Sequence, residues 1–172
     1  MQQMKFLVTA DIHGSLSTWL TIRALMAPRD VLVIAGDLFD TRYGHFSHPD
    51  FDPEAIRQDL SGIRHKFYYV YGNCDVPAFF PGYDHSLAFT AENKKIFLHH
   101  GHHRERISSD TDIIIQGHTH VWSLEEQQGK IFLNPGSITR PKKGAATYGI
   151  IDDRSVCIMD LQTGSPIASL DI

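Results

Sequence analysis

Five short apolar runs in this chain each end in a polar motif made of Asp, His, Asn and Gly. Residues 5–9 lead into Asp11-Ile12-His13-Gly14, and residues 31–35 into Gly36-Asp37. Residues 66–70 lead into Gly72-Asn73-Cys74-Asp75, residues 96–98 into His99-His100-Gly101-His102-His103, and residues 111–116 into Gly117-His118-Thr119-His120. Runs of this length rich in Val, Ile, Leu and Phe read as buried strands. In open α/β sheets the loops at the carboxyl ends of the strands meet along one edge. The five motifs are therefore expected to converge.

The segments between the first three runs read as helices. Ser15 is placed to N-cap a helix over 16–27, in which Leu16, Trp19, Leu20, Ala24 and Leu25 recur at helical spacing and which Pro28 ends. Pro53 suits the first turn of a second helix reaching about Gly62. This is a βαβαβ order, which implies a parallel sheet with helices packed on it. The second half changes character. Strands are expected at 86–90, 94–99, 111–116, 121–127, 130–133, 147–152, 155–161 and 166–170, with a loop containing a helical turn over 100–109. Tight turns at Gln128-Gly129 and Asp152-Asp153 belong to antiparallel pairing. The whole reads as one domain, residues 1–172, in the α/β class: two sheets packed face to face with helices outside.

Composition narrows the function classes. No apolar run approaches the roughly 18 residues a membrane span needs, and the first residues lack a signal peptide's apolar core, so a cytoplasmic protein is expected. Two cysteines, Cys74 and Cys157, do not make a disulfide framework in a chain able to build its own core. A formal charge of −4 disfavours nucleic acid as a partner. Eleven histidines are the compositional anomaly, and several lie in loops beside Gly or Asp.

The motifs carry metal chemistry. In an extended segment, side chains at i and i+2 point the same way, so Asp11 with His13, and His118 with His120, can each grip a cation. Asn73 offers a neutral oxygen, and four histidines around Gly101 are hard to explain as packing. The order Asp-x-His, Gly-Asp, Gly-Asn, His, Gly-His-x-His resembles that of the calcineurin-like metallophosphoesterases, from about Lys5 to Gly136, with no ligand position missing. Gly-Asn-Cys-Asp and His-Gly-His look like the small single-domain prokaryotic phosphodiesterases of the YfcE type.

That resemblance implies a two-sheet α/β/β/α sandwich with mixed sheets and a parallel βαβ first half. It also implies two divalent metal ions, with Mn first and Fe, Ni, Zn, Co or Mg as alternatives. Asp11, His13 and His120 would hold one ion, Asn73, His100 and His118 the other, and Asp37 would bridge them. Asn73, His102 and Asp75 are the further catalytic candidates: His102 facing the site or a phosphate, Asp75 orienting a histidine or capping a turn. The implied reaction is hydrolysis of a phosphodiester by in-line attack of a metal-bridging hydroxide. Two divalent cations against two aspartates and that hydroxide leave about one local positive charge, which suits an anionic ester.

Where many relatives carry a histidine after Gly-Asn, this chain has Cys74, a poorer proton donor. That departure suggests slower chemistry or a bias to diesters with good leaving groups. The loop 40–52, with Tyr43, His45 and His48, is a candidate border of the substrate pocket. Asn134-Pro135-Gly136-Ser137 is read as a structural closing turn. The expected partner is a small phosphodiester or other phosphorylated substrate, with no membrane, and the resemblance leaves room for a homo-oligomer. The alternatives are a catalytically weak metal-binding scaffold of the same fold and a phosphomonoesterase.

Overall fold

A computed structural model describes residues 4–43, 49–91 and 93–172. Its first half is the expected βαβαβ unit: β1 (Phe6–Thr9), α1 (Leu16–Ala24), β2 (Val31–Ile34), α2 (Pro53–Gly62) and β3 (Phe67–Tyr69). β2 lies between β1 and β3 and is parallel to both. β1 and β2 are buried along their whole length because both faces of this sheet are covered.

Helix α1 is shorter than its apolar periodicity suggests. The Leu25 and Met26 N–H groups donate to Ile22 and Arg23 carbonyls at 3.2 and 3.3 Å, so the last turn tightens to i−3 bonding. Pro28 bars Ala27 from continuing the α conformation. Ser15 caps the helix as expected, its Oγ accepting from the Thr18 N–H at 3.4 Å, and Asp52 caps α2 ahead of Pro53. The two helices are tied by the Trp19 indole N–H, which donates to Asp59 at 2.8 Å.

The remaining strands are β4 (Ser86–Ala91), β5 (Lys94–His99), β6 (Ile113–Ile115), β7 (Ser123–Gln127), β8 (Lys130–Asn134), β9 (Thr147–Ile151), β10 (Ser155–Asp160) and β11 (Pro166–Asp171). They complete a six-stranded sheet, β11-β10-β9-β1-β2-β3, and form a five-stranded one, β4-β5-β6-β8-β7. The turns at Gln128-Gly129 and Asp152-Asp153 join antiparallel pairs as expected. At the centre of the second sheet, however, β6 is parallel to both β5 and β8, which the run of tight turns does not announce. Residues 100–109 form no helix.

One apolar cluster fills the space between the sheets, with Val8, Ala10, Val33 and Ala35 facing Leu98, Ile115 and Leu133. A second packs Trp19 and Ile22 of α1 and Ile56 and Leu60 of α2 on the outer face of the six-stranded sheet, against Leu7, Leu32 and Ile34. Among the described residues no helix lies on the outer face of the five-stranded sheet. The parallel strands β1, β2 and β3 of one sheet and β5 and β6 of the other therefore end at one edge of a rigid sandwich, where their loops meet.

Candidate metal centre

The loops after β1 and β2 run side by side beyond the strands. The N–H groups of Asp11, His13 and Gly14 donate to the carbonyls of Gly36, Asp37 and Leu38 at 3.1, 2.9 and 2.8 Å. This places the Asp-x-His motif directly against Asp37. Backbone strain collects here. Asp11, His13, Asp37, Asp40, His118 and His120 all have positive φ, between 50° and 70°. Such a conformation costs a non-glycine residue roughly 1–2 kcal/mol, and it persists only where the surroundings impose it.

Two glycines let the loops close. A Cβ on Gly72 would stand 2.0 Å from Asp37 Oδ1, and one on Gly117 would stand 2.7 Å from Ala10 Cβ and 3.0 Å from Asp11 Oδ2. Any side chain at either position would displace a carboxylate of the site.

The seven expected ligands fall into two groups that share Asp37. In the first, His120 Nε2 is 3.1 Å from His13 Nε2 and 3.4 Å from Asp11 Oδ1. In the second, Asn73 Oδ1 is 3.2 Å from His100 Nε2 and 3.0 Å from His118 Nδ1. Asp37 Oδ2 lies 3.2 Å from His100 Nε2 on one side and 4.0 Å from His13 Nε2 on the other. Its second oxygen, Oδ1, accepts the Cys74 N–H at 2.7 Å, which fixes the carboxylate between the groups.

Outside the ligands, further contacts set which nitrogen each ring presents. His13 Nδ1 is 2.8 Å from Asp40 Oδ2, His100 Nδ1 is 2.7 Å from the Ala35 carbonyl, and His120 Nδ1 is 2.9 Å from the Arg140 carbonyl. Acceptors at these positions require Nδ1–H donors, so each ring turns the Nε2 lone pair inward. Two lone pairs then face each other at the 3.1 Å separation of His13 and His120. Asp11 Oδ1, buried beside them, has no hydrogen-bond partner among the described residues. Opposed lone pairs and an orphaned buried carboxylate oxygen are what a cation would relieve. The donor set, oxygen and imidazole without thiolate, fits six-coordinate first-row divalent ions.

The carboxylates respond oppositely to the same pocket. Burial lifts Asp11 to about 7, against the lowering effect of His100 and His13. Burial also opposes ionisation of Asp37, but the His100 hydrogen bond and charge and the Cys74 N–H outweigh it and bring Asp37 to about 2. His100 is raised: burial lowers it, but its contact with Asp37 prevails. Protons on Asp11 and His100 thus compete with a cation. Metal affinity should fall by at least roughly tenfold per pH unit below about 7 and level off above it. Titration calorimetry in buffers of different ionisation enthalpy reads the released proton directly; affinity flat between pH 5.5 and 7 would contradict this.

Asp40 was not singled out as a ligand support by its sequence position, at the start of a polar loop. It is fully buried and holds His13. The readable signal was its spacing, three residues after Asp37 on the same turn. Asp40→Asn should weaken metal binding by roughly 10- to 100-fold with the fold intact, as loss of a carboxylate behind a metal-bound histidine does. Competition with a chromophoric chelator measures this, and unchanged affinity would remove Asp40 from the account.

Among the described residues, Asp75 hydrogen-bonds to no histidine. Its carboxylate is fully buried and accepts the N–H groups of Leu38, Phe39, Asp40 and Gly72 and the Tyr69 hydroxyl, at 2.8–3.3 Å. Of the two roles expected of it, the geometry is that of the turn cap. Asn134 and Ser137 likewise act on backbone: Asn134 Nδ2 donates to the Gly117 carbonyl, and Ser137 Oγ to the Asp11 carbonyl. Burial pushes the Cys74 thiol well up, aided by Asp37 and Asp40, so it stays neutral. Burial, then His100, His103 and His85, bring His102 down to about 4, so it is neutral at pH 7 and not poised as an imidazolium acid.

A pocket of about 330 Å³ opens from Asn73 and is lined by Arg42, Tyr43, His85, His102 and His103. Tyr43 is thus where the 40–52 loop was expected to border the site, whereas His45 and His48 lie outside the described residues.

Comparison with known proteins agrees with this geometry. Residues 4–156 match the sequence profile of the calcineurin-like phosphoesterase superfamily domain. The chain is 32% identical to phosphodiesterase YfcE of Escherichia coli K12, over 98% of both chains. It is 29% identical to the probable metallophosphoesterase YsnB of Bacillus subtilis, over 97% of this chain and 96% of that one. The solved structure of the E. coli phosphoesterase YfcE superposes with a TM-score of 0.82 at 30% identity, covering 98% of this chain and all 100% of that one. Vps29 of Cryptosporidium parvum shares the fold at a TM-score of 0.70 and 20% identity, covering 99% of this chain and 98% of that one.

Proposed function

The chain belongs to the calcineurin-like phosphoesterase superfamily, and on that premise we propose that it is a phosphodiesterase working through a dinuclear divalent-metal centre. The observation that carries the proposal is the position of Asp37 Oδ2, held between one group made of Asp11, His13 and His120 and another made of Asn73, His100 and His118. Two divalent ions there would supply Lewis acidity to a phosphate oxygen and a water made acidic enough to attack near neutral pH. Mn²⁺ is the first choice by donor type, ahead of Fe²⁺, Ni²⁺, Zn²⁺, Co²⁺ and Mg²⁺.

The chain's own residues do the rest. Strained loops on rigid strand ends hold the ligands in place before substrate arrives, so little reorganisation is needed during reaction. Asn73, His100 and His118 would each bind as neutral ligands, which keeps the local charge positive enough for an anionic ester. Asp75 acts by positioning the 37–40 turn that carries Asp37 and Asp40. The pocket beyond Asn73 gives room for the second ester group of a diester, and Arg42 on its rim offers that group a cation. A neutral Cys74 beside the site leaves departure of an alkoxide poorly assisted, which favours diesters with acidic leaving alcohols.

The test is the ratio of kcat/KM for bis-(p-nitrophenyl) phosphate and p-nitrophenyl phosphate on the metal-loaded chain. The proposal expects the diester to be preferred at least tenfold. A preference for the monoester would reassign the chain to phosphomonoesterase chemistry.

A further inference from the structure

Beyond the seven candidate ligands, the chain carries a second set of histidines to which the proposed function gives no role beyond lining the substrate pocket. β4 and β5 pair with Ser86 opposite His99, so His85, one residue beyond the ladder, is carried to the same end as the loop that follows His100. Val70 bridges Asp84, and the Asp84 carbonyl accepts the Tyr71 N–H at 2.9 Å, which pins the backbone just before His85 to the end of β3. His102 and His103 belong to that loop. The rings of His102 and His103 are 3.9 Å apart, and each is 5.6 Å from the ring of His85.

Each of the three offers a ring nitrogen within 4.8 Å of the others, with no carboxylate in the group. His85 and His103 are exposed and His102 is half-buried. The Nδ1 of His102 is shielded from solvent and has no hydrogen-bond partner among the described residues. A buried ring nitrogen without a partner carries a desolvation cost unless something fills the gap. Three imidazoles and open solvent on the fourth side match a three-nitrogen site completed by water, the arrangement favoured by Zn²⁺. None of the seven residues assigned to the dinuclear centre belongs to this group.

We propose that His85, His102 and His103 form a third, separate divalent-metal site of the Zn²⁺ type on the wall of the substrate pocket. The site adjoins the dinuclear centre through the rings of His100 and His102, whose centroids are 5.3 Å apart. It shares no ligand with that centre, so removing its histidines leaves the other seven candidate ligands in place. With two of its three ligands exposed, the third site fills after the first two and empties first on dilution.

The test counts ions. The full chain, its His85→Gln/His103→Gln variant and its His103→Gln variant are dialysed against micromolar free Zn²⁺, and bound zinc per chain is measured by mass spectrometry. The expected result is three ions in the parent and two in the double variant. The single variant should show a third ion bound roughly tenfold or more weakly, on the scale of losing one metal-supporting residue. Co²⁺ substitution adds a second readout: the intense visible absorption of four-coordinate cobalt should be present in the parent and absent from the double variant, whose circular dichroism confirms folding. Two ions in both chains would overturn the proposal, and so would three in both, since the extra ion would then sit elsewhere. One ion in the parent and none in the double variant would uphold this site and sink the dinuclear reading instead.

Discussion

Asp37→Ala is expected to lower diesterase turnover by about a thousandfold or more, the scale seen when a preorganised charge-stabilising group is lost. Asp37 faces both ligand groups, its Oδ2 3.2 Å from His100 Nε2 and 4.0 Å from His13 Nε2. Removing it takes away a negative charge that both ions would share and leaves Asp11, which has an oxygen near His13 and His120 and near His100, as the remaining carboxylate. The two cations would then repel each other with less compensation in a buried setting. The variant should therefore bind one ion tightly where the parent binds two. Its fold should change little. The buried Cys74 N–H loses its acceptor, at a cost of about 1–3 kcal/mol, but the desolvation of the Asp37 carboxylate is relieved at the same time. A variant with two bound ions and a tenth or more of parental turnover would show that Asp37 does not bridge.

Asp75→Ala should produce the opposite profile, a large loss of stability. Four backbone N–H groups and the Tyr69 hydroxyl converge on this carboxylate. Alanine leaves all five donors without an acceptor in a region where Asp75, Tyr69, Leu38, Phe39 and Asp40 are each no more than 2% exposed. Each buried unsatisfied donor costs about 1–3 kcal/mol in isolation. Water entering the vacated space, and relief of the burial that raises the Asp75 pKa, return part of this. A net loss of roughly 3–5 kcal/mol follows, or about 6–20 °C in Tm for a chain of this size. Thermal unfolding with and without metal measures it. A shift under 2 °C would mean the 37–40 turn is held by something other than Asp75.

Much of this architecture was legible in the chain because both signals were local. Apolar runs fixed the strands to within about two residues, and the Ser15 and Asp52 caps with Pro53 fixed where helices begin. The convergence of the candidate ligands was legible because each follows closely on a parallel strand, and the parallel strands of both sheets end at one edge. What was not legible is what depends on pairing between distant segments. The parallel placement of β6 between β5 and β8 is set by how two sheets share one core, not by any turn. Asp40 and Asp75 show the same limit. Both are aspartates in polar loops, yet one fixes a histidine ring 27 positions away and the other accepts from three N–H groups 35–37 positions away besides its neighbours Tyr69 and Gly72. The His85 group needed the register of β4 against β5 before its members could be seen as neighbours.

The central claim is that a dinuclear metal centre does the chemistry, and metal removal tests it most directly. The chain is stripped with a strong chelator, freed of the chelator, and assayed on bis-(p-nitrophenyl) phosphate before and after adding Mn²⁺, Ni²⁺, Zn²⁺ or Mg²⁺ singly. The account predicts loss of activity on stripping, and recovery with at least one ion, activity rising as the second metal per chain binds. Diesterase activity that survives exhaustive chelation would contradict it.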